Sequence, residues 1–214
     1  MSLAVKICGL STPETVEAAV AAGADYLGFV FYPKSPRHVT LAQAAALARP
    51  VPPRVRRCGL FVDPDDATLT AALGAVDFDI LQLHGAEAPE RCAAIRERFR
   101  RPVMKAIGLA SAEDAARAAA WVGSVDLLLF DARPPPAPGA LPGGNGVAFD
   151  WRLLADRSWP VPWMLSGGLN AGNLPEAVRT TRAPAVDVSS GVETGPGIKS
   201  VALIREFLSI AKGL

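Results

Sequence analysis

Short runs of β-branched and aliphatic residues alternate along the chain with alanine-rich stretches of helical period, and the two are joined by polar or glycine-rich turns. The first run is Val5-Lys6-Ile7-Cys8-Gly9, and Ser11-Thr12-Pro13-Glu14 opens a helix behind it. Thr12 suits the cap, Pro13 the first helical position, and Glu14 and Glu17 the positive end of the helix dipole. The next strands are predicted over 25–30, 55–62 and 79–83, the last ending at His84-Gly85. Thr40 is expected to cap a helix over 41–48, Asp63-Pro64-Asp65-Asp66 to start the third helix, and 88–99 to form the fourth. A fifth strand covers 102–106, and Ser111 caps a helix running through Ala120. The sixth strand, 125–131, is the clearest, and a proline- and glycine-rich loop over 132–147 follows it. A short helix is expected over 149–155, a seventh strand over 162–166, an eighth with its exit over 185–191, and a final helix over 198–211.

Eight such units of about 25 residues each indicate a single-domain (β/α)8 TIM barrel of parallel strands spanning 1–214. The strands are apolar nearly throughout, as in a parallel sheet covered by helices on its outer face. A doubly wound open sheet is the alternative, but the dinucleotide fingerprint G-x-G-x-x-G does not follow the first strand.

Composition narrows the function. The chain of 214 residues is half apolar with a formal net charge of +1, so no field draws it to nucleic acid or to an anionic membrane. Its three cysteines lack CxxC or Cys/His spacing, which argues against a disulfide framework and a zinc site and makes a reducing cytoplasm the expected location. The opening MSLAVKICGL lacks the apolar core of a signal peptide, and no apolar run is long enough to span a bilayer.

In such a barrel, chemistry sits at the C-terminal ends of the strands. There the chain offers Cys8, Arg37, His84 and Asp131 from different units. Each has a plain structural reading: a small buried hydrophobe, a solvated loop charge, a turn residue and a turn cap. Their coincidence at separate strand tips favours a site. Cys58 and Cys92 lie at no strand exit and are read as core. The exits of strands seven and eight carry Gly167, Gly168 and Leu169, and Ser189, Ser190 and Gly191. Backbone N–H groups of these two loops are the expected phosphate site. Lys199 is the one cation nearby in sequence, so backbone donors are expected to leave the anion's charge partly uncompensated.

Lys6-Ile7-Cys8-Gly9, Gly28-Phe29-Val30-Phe31, Ser35-Pro36-Arg37, Leu81-Gln82-Leu83-His84-Gly85, Phe130-Asp131, Gly143-Gly144-Asn145-Gly146, Phe149-Asp150-Trp151, Ser166-Gly167-Gly168-Leu169 and Val188-Ser189-Ser190-Gly191-Val192-Glu193 occur in this order. Together they resemble the phosphoribosylanthranilate isomerase family of tryptophan biosynthesis over essentially the whole chain. The resemblance implies a cofactor-free Amadori rearrangement of N-(5′-phosphoribosyl)anthranilate, with Asp131 as general acid and Cys8 as general base. It places Arg37 on the anthranilate carboxylate; Gly144 and Asn145 are candidate substrate contacts, and His84 either orients the substrate or is structural. It implies a small phosphorylated substrate as the partner of the site and no metal; the sequence is compatible with a monomer or a homodimer. The chain departs from the family's usual pattern at Asn145-Gly146-Val147, where threonine, glycine and a polar residue are common, and at Ser200, where aspartate is common. The chemistry asks for a carboxyl with a raised pKa and a thiol with a lowered one. Burial at the end of an apolar strand is expected to favour the protonated Asp131, and the nearby helix start to favour the thiolate of Cys8. A histidine-pathway aldose–ketose isomerase on the same barrel is the nearest alternative, but it typically carries aspartate at the position of Cys8 and binds two phosphates. A non-catalytic phosphate-binding barrel is the other; loss of Cys8 or Asp131 would have signalled it, and both are present.

Overall fold

The computed structural model describes residues 3–133, 143, 144, 146, 148–155 and 157–214. Eight parallel strands close into a barrel in sequence order: β1 Ala4–Cys8, β2 Tyr26–Val30, β3 Arg56–Phe61, β4 Ile80–Leu83, β5 Val103–Leu109, β6 Leu127–Ala132, β7 Trp163–Leu165 and β8 Ala185–Val188. The closing ladder pairs Lys6 with Asp187 and Ile7 with Val188. The helices between them are α1 Pro13–Ala21, α2 Leu41–Ala48, α3 Asp66–Ala75, α4 Pro89–Phe99, α5 Ala112–Arg117, α6 Leu174–Thr181 and α7 Val201–Lys212. The expected caps are in place: the Thr12, Thr40 and Ser111 hydroxyls accept N–H groups of the first helical turn, the last two in reciprocal capping boxes.

Residues alternate along each strand between two cores. Outward side chains such as Ile7, Leu27, Phe61, Leu128 and Val186 pack against the helices. Inward ones fill the barrel: Cys58, Ile80, Met104, Leu129 and Met164 form an apolar floor. Above it lies a polar layer containing Lys6, Gln82 and Asp187, all buried. Cys8, Val30 and Leu60 sit over that layer.

Three elements differ from the sequence expectation. The helix behind β5 tightens into a 3-10 turn over Ala118–Trp121. The helix expected over 149–155 is a single 3-10 turn, Trp151–Leu153. The last helix starts at Val201, because Ile198–Lys199 pairs antiparallel with Glu193–Gly195 as a small hairpin. Gly197, at φ +79°, makes that turn, and the Ser200 hydroxyl caps α7 by accepting the Leu203 N–H.

Candidate active site

The strand tips surround one cavity with about 780 Å³ of non-atom space, its open mouth included; Cys8, Arg37, His84, Asp131, Gly168 and Ser190 line it. Of the site residues expected from sequence, only Asn145 falls outside the described residues, as do Val147 and the prolines of 134–138.

Cys8 ends β1 inside the barrel and faces Gly28 of β2 in register. A Cβ at Gly28 would stand 2.9 Å from the Cys8 Sγ and 3.1 Å from the Lys6 Nζ, so glycine leaves the space in which those two groups meet. Lys6 is fully buried and donates to Asp187 Oδ1 at 2.8 Å, while the Ser166 hydroxyl donates to Oδ2 at 3.0 Å. Burial acts to strip the Lys6 proton, but the Asp187 carboxylate outweighs it and holds the ammonium above the ordinary lysine value. The thiol departs from the sequence expectation. Burial pushes the Cys8 pKa up, and the Lys6 charge only partly offsets it. Helix α1 starts at Pro13, too far along the chain for its N-terminus to dominate over desolvation.

Asp131 projects inward from β6 into the same cavity as Cys8. Its Oδ1 accepts the Ala132 N–H at 2.8 Å, and its Oδ2 faces His84 Nε2 at 3.3 Å. The other ring nitrogen of His84 meets Gln82 Nε2 at 3.1 Å. Gly143 lies directly over this pair. A Cβ at Gly143 would lie 2.7 Å from both Asp131 Oδ2 and His84 Nε2, so only glycine fits the roof.

Arg37, buried in the loop after β2, is not a solvated charge. Its Nε donates to Glu193 Oε1 at 2.7 Å and its Nη2 to Oε2 at 2.8 Å, a parallel fork. Nη2 also donates to the Gly144 carbonyl at 3.1 Å. One edge of the guanidinium is therefore committed to the protein, and the Nη1–Nη2 edge is the one turned to the cavity roof at Gly144. Glu193 accepts in turn from Lys199 Nζ at 2.6 Å. Burial acts to raise the Glu193 pKa, yet Arg37 and Lys199 hold it below the usual value; burial lowers that of Lys199.

The loops after β7 and β8 interlock. Gly167 and Gly168 have φ of +85° and +65°. Gly167 lies against Asp131, since a Cβ there would stand 2.7 Å from the Ala132 N and 3.2 Å from Asp131 Oδ1. A Cβ at Gly191 would fall 1.8 Å from the Leu169 carbonyl oxygen. Leu169 itself is buried, so its backbone rather than its side chain can serve a ligand. Among the described residues the N–H groups of Gly168 and Leu169 find no acceptor. Ser189 donates its hydroxyl to the Cys8 carbonyl at 3.2 Å, and Lys199 Nζ reaches the Ser189 carbonyl at 2.9 Å and its hydroxyl at 3.1 Å. The charge balance thus differs from expectation. A buried lysine lies beside the second loop, and with Arg37 and Glu193 it leaves a net positive triad on that side of the cavity. The loop after β8 ends in a 3-10 turn over Ser190–Val192 rather than in a long helix.

Sequence reasoning assigned no role to Lys6, Gln82, Asp187 or Glu193. The usable signal was parity: Lys6, Gln82 and Asp187 each stand two residues before a tip residue, on the same inward face of an apolar strand. Glu193 closes the motif after β8, but its partner Arg37 lies 156 positions away.

The model of the family described as N-(5′-phosphoribosyl)anthranilate isomerase matches residues 5–209. The curated N-(5′-phosphoribosyl)anthranilate isomerase of Rhodospirillum centenum is 59% identical over 214 residues, all of both chains. That of Parvibaculum lavamentivorans is 58% identical over 99% of each. The crystal structure of the Thermotoga maritima phosphoribosylanthranilate isomerase superposes with a TM-score of 0.87 at 38% identity, over 99% of this chain and all of that one. A phosphoribosylanthranilate isomerase in complex with reduced 1-(o-carboxyphenylamino)-1-deoxyribulose 5-phosphate superposes with a TM-score of 0.85 at 37% identity, with the same coverage. The chain belongs to the N-(5′-phosphoribosyl)anthranilate isomerase family.

Proposed function

We propose that the chain converts N-(5′-phosphoribosyl)anthranilate into 1-(2-carboxyphenylamino)-1-deoxyribulose 5-phosphate, with Asp131 and Cys8 as acid and base. The carrying observation is that these two groups face one cavity from different sides, between glycine-lined loops and a buried arginine. The phosphate docks on the backbone amides of Gly168, Leu169, Ser190 and Gly191, with Ser189 and the Lys199 charge behind them. The anthranilate carboxylate meets Arg37 at Nη1, the nitrogen that Glu193 and the Gly144 carbonyl leave available. Asp131 protonates the ribose ring oxygen, the C1′–O bond breaks, and the glycosylamine becomes an open Schiff base. Cys8, as the thiolate, then removes the C2′ proton to give an enolamine, which tautomerises to the ketone. Burial makes that thiolate scarce but strongly basic, and Lys6 supplies the nearest positive charge.

This chemistry moves only protons and requires no cofactor or metal. We read the chain as one domain acting on a small phosphorylated molecule in the cytoplasm, as a monomer or homodimer, with no nucleic-acid partner. Among the described residues no helix is long and apolar enough to cross a membrane. The purified chain should quench the fluorescence of phosphoribosylanthranilate, with full activity in chelator. Turnover of the histidine-pathway aldose instead, or none of either, would overturn the assignment.

A further inference from the structure

A line of side chains runs from the barrel interior to Asp131. Cys58 of β3 and Gln82 of β4 are both completely buried. Burial pushes the Cys58 pKa up to about 12, so at neutral pH it is a thiol with a hydrogen to give. Its Sγ lies 3.7 Å from Gln82 Oε1, within reach for sulfur. With that oxygen accepting, the Gln82 amide nitrogen is the end turned toward His84, at 3.1 Å from Nδ1. An amide nitrogen only donates. His84 Nδ1 must therefore be the unprotonated ring nitrogen, and the ring proton sits on Nε2. That nitrogen is the one 3.3 Å from Asp131 Oδ2. The ring is held from its backbone as well, since the His84 N–H donates to the Phe61 carbonyl at 2.8 Å.

We propose that Gln82 is a positioning residue that locks His84 in its Nε2–H tautomer, so that an N–H donor always faces the acid. The inference rests on the reading of Asp131 as general acid. On delivering its proton to the ring oxygen, Asp131 becomes a carboxylate between two donors already in place, the Ala132 N–H and the His84 Nε2–H. The opposite tautomer would turn a lone pair on that new charge. Gln82 lines the cavity wall, but its oxygen is turned to Cys58 and one amide N–H to His84; its effect is read through His84 and Asp131.

The test uses ring-nitrogen NMR of the full chain, which carries only two histidines, assigned with His84→Asn. At neutral pH the parent His84 should show an unprotonated Nδ1 and a protonated Nε2. Gln82→Glu places an acceptor where the donor was, and Nδ1 should become protonated. Gln82→Leu, which offers neither, should release the tautomer preference. Both variants should lose about 10–100-fold in kcat, by analogy with removing the partner that orients a metal-bound histidine, with KM little changed. A parent proton on Nδ1 overturns the proposal without any variant having to fold. So does a Gln82→Leu chain with parental ring signals and parental kcat. Because the tautomer is read without turnover, its failure is distinct from failure of the acid assignment, which retained activity in Asp131→Asn would reveal.

Discussion

Gly191→Ala isolates the contact between the two loops read as the phosphate site. Gly191 is not among the glycines of positive φ, so alanine brings no backbone strain, only one methyl group. That methyl would sit 1.8 Å from the Leu169 carbonyl oxygen and 2.9 Å from its carbonyl carbon. Real Cβ atoms essentially never approach closer than 3.0 Å. The loops must therefore part by at least 1.2 Å, the difference of those two distances. Both neighbours are backbone, so no side chain can rotate to absorb the shift. A misplacement of about 1 Å costs about 10²-fold where geometry decides the rate. The variant should lose on that order in kcat/KM, and inorganic phosphate should compete less well against substrate. Barrel strands and the Cys8 pocket lie below the loops, so thermal unfolding and the alkylation rate of Cys8 in the ligand-free chain should change little. Parental kcat/KM together with parental phosphate competition would refute the placement of the phosphate on these loops.

Arg37→Ala removes one partner of a buried fork and the group read as holding the carboxylate; it should cost about 2–5 kcal/mol in transition-state binding, measured as kcat/KM, and an unchanged value would return Arg37 to a structural role. Cys8 alkylation should follow a titration with its midpoint above the ordinary thiol value of about 8.5, because burial raises the pKa. The sign is fixed: the native thiol holds its proton more tightly than the unfolded one, so this group favours the fold below its unfolded pKa and loses that contribution as pH rises through the native value. Lys6→Met combined with Asp187→Asn, which leaves no orphan charge, should move the midpoint further up; a downward move would remove Lys6 as the supporting charge.

The barrel was legible because local rules and periodicity agree along nearly the whole chain. Thr12, Thr40 and Ser111 cap where the pattern places them, and strand alternation puts Cys8 and Asp131 on the inner face. The hairpin at 193–199 was not, because its two- and three-residue strands are too short to show a period, and Ile198 and Val201 continue a helical spacing. The charge pairs were invisible for another reason. Lys6 meets Asp187 across 181 positions, and Arg37 meets Glu193 across 156, so each looked like a lone charge. The sign of the Cys8 shift was misread because a helix start is visible in sequence while desolvation depends on what closes over the thiol.

The central claim is that Cys8 takes the C2′ proton and Asp131 opens the ring. It is tested most directly by following exchange of the C2′ hydrogen with deuterated solvent in Cys8→Ser and Asp131→Asn. Each group should contribute about 10²–10⁴-fold to its own step. The account predicts that Cys8→Ser loses exchange by that factor on an open-chain Schiff-base analogue that lacks the ring-forming hydroxyl, keeps its C2′ hydrogen and needs no ring opening. Asp131→Asn should retain exchange on that analogue while failing on the closed glycosylamine. Exchange at the parent rate in Cys8→Ser would contradict the account and return Cys8 to the wall of the barrel.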